Sequence, residues 1–451
     1  MKRLNYTYRV DRIYVNKNDD IYGYLDEMSH SAKLMYNVAL FIQRNWFTAC
    51  NKRKENTPLH PNEEAVVEKV EMLDPQYRKG MVISKYAIDK LMVMTEDKDF
   101  YSLPSQIAQQ IIGQANESFR AWLGALREYQ KDPKKFNGRP KMPKYLEKDT
   151  FTFSIPSQTL KPHGDTLGFP KTRKTLKIRD RGLELKEVQV VPAGDEYKVI
   201  IIYKKPVEIP EPHEGNSASI DFGVNNTMSV VASNGKSVIF KGGAIKEKNQ
   251  YFNKEKARLT SVITKGHEKK KATSHRLDRL SKSRHEFIHD AFQKMSSRLM
   301  EWCEKNDVTT LVIGYSKGWK QESSIGKTNN QNFCSIPFLS LLSMIEYKAM
   351  EKGINVIIQE ESYTSKADFL SSDHIPTIGD DDATNAVFSG CRIHRGSYRS
   401  KNGICVNADL MAAANILRKA GMDTSGITEK TLRETMVIGY RDLNTKIKQI
   451  A

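Results

Sequence analysis

Between residues 217 and 240 the chain runs Ser-Ala-Ser-Ile-Asp-Phe, then a Gly-Val-Asn-Asn link, then an apolar run with Met228, Val230, Val231 and Ala232. After Ser233-Asn234-Gly235-Lys236 come Val238, Ile239 and Phe240. Short apolar runs broken by turn residues, with Asn-Gly in the second break, predict three consecutive strands joined by tight turns. VTTLVIG (308–314) and INVIIQE (354–360) have the unbroken apolar character of buried strands. Apolar positions three and four apart mark helices. They run through Leu25, Met28, Ala32, Met35, Ala39 and Ile42 over 21–48, and through Ile107, Ile111, Ala115, Phe119, Trp122 and Leu126 after Pro104. A long helix over 274–305 carries Leu277, Leu280, Phe287, Ile288, Ala291, Met295, Leu299 and Trp302; shorter ones follow over 336–352 and 407–419. Segments 3–15, 150–155, 175–179, 184–191 and 197–203 read as short strands of a small barrel, the first joining across the helices. Residues 243–272 read as a polar arm, 371–390 as a loose acidic stretch, and the tail from 422 as nearly patternless beyond a weak helix near 428–437.

Three meandering strands, a helix, a strand, a helix, a strand and a helix is the RNase H-like order. The expected fold class is multidomain α+β. A helical domain over 17–131 is inserted in a small β-barrel built from 1–16 and 132–215. An RNase H-like α/β domain follows over 216–421, with a tail over 422–451.

Charge adds a partner to this picture. The chain has 451 residues, of which 71 are Lys or Arg and 54 Asp or Glu, a net charge of +17. That excess points to a polyanion. The first cluster is DPKKFNGRPKMPKYLEK from residue 132, where Pro and Gly keep Lys134, Lys135, Arg139, Lys141 and Lys144 extended and Phe136 and Tyr145 offer stacking faces. The second is the start of the long helix, with Arg276, Arg279 and Arg284, just after Lys269-Lys270-Lys271. No apolar run is long enough to cross a bilayer, so no membrane partner is expected. The N-terminus lacks the apolar run of a signal peptide. Five widely spaced cysteines argue for a reducing cytosol.

Asp221 lies inside the first strand, where an aspartate is costly unless a cation or a donor meets it. A two-metal nuclease needs three or four acids converging from different elements, with Mg²⁺ ions about 4 Å apart. Asp409, in the first turn of the last helix, is a second candidate, or else a helix-start acid complementing the dipole. The acid expected at the end of VTTLVIG is missing, since that position is Gly314; the next strand ends in Glu360-Glu361. Successive strand residues face opposite ways. Glu361, beside the turn into Ser362-Tyr363, can swing toward the neighbouring strand end and is the expected third ligand, with Glu360 the alternative.

The stretches IDFGVNN (220–226), LVIGYSKGWKQ (311–321), EESYTSK (360–366) and NADLMAAANI (407–416), with LPSQIAQQ (103–110) and FNGRPKMPKY (136–145), resemble TnpB. These are transposon-encoded RNA-guided endonucleases related to compact type V CRISPR effectors. The resemblance covers nearly the whole chain except the tail. It implies a recognition domain at 17–131, a wedge barrel, and a RuvC nuclease domain in which 364–403 is a lid or ribbon insertion. It also implies an omega-type guide RNA, double-stranded target DNA cut beside a short adjacent motif, and catalysis by Asp221, Glu361 and Asp409 with Mg²⁺ or Mn²⁺. Two departures stand out. Gly314 replaces the usual glutamate, which some relatives carry at the end of the next strand, where Glu361 stands. The usual zinc ribbon needs two Cys-x-x-Cys pairs, whereas Cys391 and Cys405 stand alone, so no zinc is expected. A cytoplasmic, nucleoid-associated monomer is the expected form. Two other readings are a guided DNA-binding repressor without cleavage, prompted by Gly314, and a strand-transferring transposase.

Overall fold

The computed structural model describes residues 6–73, 82–208, 210–211, 213–265, 274–316, 334–377, 379 and 386–445. Lys269-Lys270-Lys271, residues 317–321 of the LVIGYSKGWKQ stretch and Asp380-Asp381-Asp382 lie outside the described residues. The chain divides into one unit of residues 8–205 and another formed by 206–451 with 1–7.

In the first unit, strand β1 (Tyr6–Val15) leads into helix α1 (Tyr22–Lys54), followed by α2 (Pro61–Leu73), α3 (Lys85–Met94), α4 (Lys98–Ser102) and α5 (Ser105–Lys131). The predicted stripes are the ones that pack: Leu25, Met28, Ala32, Met35 and Ala39 of α1 bury with Ile107, Ile111, Ala115 and Phe119 of α5. Helix α2 has an apolar face in Val66, Val67 and Val70. Strands β2 (Phe153–Pro156), β3 (Lys161–His163), β4 (Thr166–Gly168), β5 (Thr175–Lys177), β6 (Glu184–Ala193) and β7 (Glu196–Pro206) follow. Among the described residues they pair as two sheets, β1-β7-β6-β2 and β3-β4-β5, and β1 does join across the helical insertion.

The second unit opens with the expected meander, β8 (Asn216–Phe222), β9 (Asn226–Ala232) and β10 (Ser237–Lys241). Gly235 turns the second hairpin at φ +78, and a Cβ there would come within 2.4 Å of the Gly426 carbonyl, so the turn needs glycine twice over. Helices α6 (Gly243–Thr264) and α7 (His275–Lys305), strand β11 (Val308–Gly314), helix α8 (Phe338–Glu351) and strand β12 (Asn355–Gln359) come next. Then follow β13 (Cys391–His394), β14 (Ser397–Arg399), β15 (Cys405–Asn407), helix α9 (Ala408–Lys419), helix α10 (Glu429–Arg433) and β16 (Met436–Ile438). The main sheet has the order β12-β11-β8-β9-β10-β16 among the described residues.

Three expectations are corrected here. The polar arm is largely helix α6, which buries only Ile245, Asn249 and Leu259, too few positions to mark a periodicity. The tail is not featureless: β16 pairs in parallel with β10, Val238 opposite Met436. Strand β12 is an edge strand, with Ile358 45% exposed. Having only β11 as a neighbour among the described residues, it is not enclosed as its apolar sequence implies.

The sheet's two faces set up the site. Ala218, Ile220, Phe222, Leu311 and Ile313 pack toward α7 and α8 with Phe292, Met295, Leu341 and Ile345. The alternate residues Val231, Ile239 and Val312 pack with α9 through Leu410, Met411, Ala413 and Leu417. Alternation therefore turns Ser219 and Asp221 toward α9; the Ser219 hydroxyl donates to the Ala413 carbonyl at 2.6 Å.

Candidate active site

Strand β8 runs parallel to β11 with Ile220 level with Ile313. One step further, Asp221 and Gly314 stand side by side at the carboxyl end of both strands. Asp221 also pairs with Ser229 of β9, whose buried hydroxyl has no hydrogen-bond partner among the described residues. Burial pushes the Asp221 carboxyl well above the usual range; repulsion from Asp409 and then Glu361 pushes it further, and Arg392 opposes them. The charges of Asp409 and Glu361 thus both reach Asp221.

Gly314 is where the missing acid would be. A Cβ built on it would lie 2.5 Å from Ile416 Cδ1 of α9 and 3.0 Å from Glu361 Oε2. The Glu361 carboxylate therefore occupies the space beside Gly314. It gets there because β12 ends at Gln359 and the chain then turns, with Thr364 donating to the Glu361 carbonyl from both N (3.2 Å) and Oγ1 (2.8 Å). Burial, and then the neighbouring Glu360 charge, raise the Glu361 carboxyl to about 7, while Lys419 opposes. Glu360 goes elsewhere. Its Oε2 accepts from Lys419 Nζ at 2.6 Å, and its Oε1 from the Ser362 amide at 2.7 Å and from the Ser362 hydroxyl. Those donors outweigh burial and hold the Glu360 carboxyl below its ordinary value.

Asp409 sits one residue into α9, which Asn407 caps by accepting from the Asp409 and Leu410 amides at 3.0 and 3.1 Å. Two donors hold its carboxylate. Asn226 Nδ2 donates to Oδ2 at 2.7 Å, and Arg392 Nη2 to Oδ1 at 2.9 Å. Lys241 Nζ in turn fixes Asn226 through its Oδ1 at 3.1 Å. Sequence reasoning missed Asn226, Arg392 and Lys419. Asn226 lies within the IDFGVNN motif and Arg392 within the basic stretch RIHRGSYRS (392–400), but which partner each meets depends on long-range packing. Among the described residues, no three His, Cys, Asp or Glu side chains stand close enough to hold a metal ion as they are placed.

Strands β13, β14 and β15 form a small sheet before α9. Cys391 and Cys405 lie exposed on its outer strands, each opposite Arg399 of the central one. The nearby segment is tied down by Asp368, which is fully buried. It accepts from Ser400 Oγ (2.6 Å), Ser371 Oγ (2.7 Å), and the amides of Lys401 (2.9 Å) and Leu370 (3.1 Å).

The basic residues divide. In the first unit, Lys134, Lys135, Arg139, Lys141 and Lys144 are all exposed. Their segment is held extended: Asn37 exchanges two hydrogen bonds with Leu146 (2.8 and 3.1 Å), Trp122 Nε1 donates to the Pro140 carbonyl (3.2 Å), and Arg44 lies 4.7 Å over the Tyr145 ring. In the second unit Arg276 and Arg279 are exposed, but Arg284 is not a free surface cation. It donates to Asn249 Oδ1 at 2.6 Å and to the Ser335 carbonyl at 2.5 Å, and lies over the Phe252 ring, because a helix packs where a polar arm was expected.

Comparison with known proteins adds the following. Residues 200–320 match the family model OrfB_IS605, described as a probable transposase, and residues 338–416 match the Cas12f1-like TNB domain. The chain is 27% identical over 241 residues to the TnpB-like protein ORF457 of Acidianus two-tailed virus, a match taking in 52% of this chain and 48% of that protein. The chain thus spans about half the length of this curated relative. Among solved structures it resembles the Cas12f1-sgRNA-target DNA complex (TM-score 0.46, 13% identity, 88% of this chain and 82% of that one). It also resembles the mini-RNA-guided endonuclease CRISPR-Cas_phi3 (TM-score 0.42, 11% identity, 92% and 93%). The first family match contains Asp221, the second contains Glu361 and Asp409, and the curated relative is TnpB-like: over these stretches the chain is similar to TnpB-type proteins.

Proposed function

We propose that the chain is an RNA-guided DNA endonuclease that hydrolyses phosphodiester bonds at a RuvC-type site built from Asp221, Glu361 and Asp409. The observation that carries this reading is the Glu361 carboxylate lying 3.0 Å from where a Gly314 side chain would begin, beside Asp221. A protein that merely binds DNA has no use for a third acid brought into the gap left by the first. This is also the argument against a guided repressor without cleavage.

Asp221, Glu361 and Asp409 offer only carboxylate oxygen, the donor chemistry of Mg²⁺ or Mn²⁺ and not of a structural zinc. Two observations fit such an ion: among the described residues no donor meets the Asp221 carboxylate, and the Ser229 hydroxyl beside it is buried without a partner. When bound, divalent cations supply an activated water and charge stabilisation at the leaving oxygen. The chain's own residues keep the acids in position. Asn226 and Arg392 hold the two Asp409 oxygens, and the turn after Gln359 aims Glu361. The exposed strip from Lys134 to Lys144, with Arg276 and Arg279, takes RNA and DNA phosphates, and base pairing by the guide selects the target beside a short adjacent motif. Residues 17–131 serve as the recognition domain, 1–16 and 132–215 as the wedge, and 216–421 as the nuclease domain.

The test is to purify the protein with its bound nucleic acid, sequence any RNA, and assay that complex on a plasmid carrying the matched sequence with Mg²⁺ or EDTA. Nicking or cutting of the matched plasmid, dependent on Mg²⁺ and lost in Asp221→Ala, is the expected result. Matched binding with no cut at any metal concentration would instead establish the repressor.

A further inference from the structure

Two glutamates stand together at the end of β12, and only one can serve the site. Resting on the function proposed above, we propose that Lys419 is a positioning residue that makes the choice: by holding Glu360 it delivers Glu361 to Gly314.

Lys419 is the last residue of α9, and its side chain is only 7% exposed. Its ammonium meets three acceptors, Glu360 Oε2 at 2.6 Å and the carbonyls of Pro376 and Ser362 at 3.0 and 3.1 Å, one for each of its protons. The other Glu360 oxygen is occupied by Ser362. Both Glu360 oxygens are thus engaged with Lys419 and Ser362. Glu361, the next residue, has no hydrogen-bond donor on its carboxylate among the described residues and lies over Gly314.

The turn needs such a hold. Tyr363 adopts a φ of +64, a conformation that a bulky side chain rarely takes unless its surroundings impose it. Helix α9 imposes it at two points a turn apart. Asn415 Nδ2 donates to the carbonyls of Thr364 (2.9 Å) and Ala367 (2.7 Å), and Lys419 grips the other side. Between them Ile416 closes over Gly314. The helix that carries Asp409 in its first turn thus also sets where Glu361 goes, so two of the three acids are registered to one rigid body. A largely buried ion pair is a poor source of stability, since apolar replacements of similar size are often as good; fixing register is its best-attested use.

Metal binding tests the idea without recourse to cleavage. Mn²⁺ is titrated into the full chain by electron paramagnetic resonance, in wild type, Asp221→Asn, Glu361→Gln, Lys419→Met, Glu360→Gln and the Glu360→Gln/Lys419→Met double variant. Wild type is expected to bind Mn²⁺ in a manner lost in Asp221→Asn and Glu361→Gln. Lys419→Met and Glu360→Gln are each expected to weaken it about tenfold, as outer-shell changes do. The double variant is expected to be no weaker than Lys419→Met alone, because the Glu360 change removes a contact that Lys419→Met has already broken. If Lys419→Met does not fold, Glu360→Gln, which keeps the side-chain shape, carries the comparison. Wild-type affinity in Lys419→Met and Glu360→Gln, with binding still lost in Asp221→Asn, overturns the positioning role and leaves the acid site standing. Mn²⁺ binding that is indifferent to Asp221 and Glu361 overturns the site itself, and this inference with it.

Discussion

The Glu361 carboxylate fills the place of a side chain at Gly314, with its Oε2 3.0 Å from the position of the absent Cβ. The carboxylate comes from just past the end of the neighbouring strand, and Gly314 is then required to be small. Gly314→Ala pushes a methyl against Ile416 and Glu361 at once and is expected to cost about 1–3 kcal/mol in denaturant unfolding, as overpacking does. Glu361→Gln keeps the shape and is expected to lower guided cleavage at least a hundredfold with little change in stability.

Asp221 carries a stability cost that its amide would relieve. Its folded pKa is raised, first by burial and then by Asp409 and Glu361. Between the ordinary aspartate value and that raised value, the folded state binds more protons than the unfolded one. Stability therefore falls as pH rises through this window. In EDTA, Asp221→Asn is expected to melt above wild type at neutral pH, with the gap closing toward about pH 4, where both folded and unfolded wild type approach protonation. Mg²⁺ should raise the wild-type melting temperature and leave that of Asp221→Asn unchanged.

Asp368 has the opposite sign. Burial pushes its carboxyl up, but the donors from Ser400, Lys401, Ser371 and Leu370 outweigh it and hold it below the usual value. Its contribution is present above the unfolded aspartate pKa and is lost as pH falls through the lower folded one. Asp368→Asn puts an amide donor among donors and is expected to cost roughly 2–4 kcal/mol, the loss of hydrogen bonds to a charged group. Hydrogen exchange should locate the loosening at 397–401, and an unchanged exchange pattern there would count against the crosslink.

The basic strip and Arg284 separate in one salt titration. Replacing Lys134, Lys135, Arg139, Lys141 and Lys144 by Ala is expected to flatten the dependence of log K for single-stranded RNA on log salt by roughly 3, at about 0.7 per phosphate contact. Arg284→Ala should leave that slope alone and instead lower the melting temperature, because its guanidinium is held by Asn249 and Ser335.

What the sequence determined by itself is what local pattern can carry. The helical stripes of α1, α5, α7 and α9, the meander at 216–241 and the alternation that turns Asp221 away from Phe222 follow from residues close in the chain, and all stand in the structure. Asp221 and Asp409 were legible because each sits at a marked place in a regular element, a strand interior and a helix start. Tertiary structure alone decided the rest. β16 is three residues long and becomes a strand only where β10 offers it an edge. α6 is mostly polar and needs α7 to pack on, and that packing engages Arg284 from a surface that the sequence left open. The partner of Glu360 comes from 59 residues away, Lys419. An ion pair at that separation leaves no periodicity in either segment, because its energy depends on a distance that exists only once the helix has docked on the sheet.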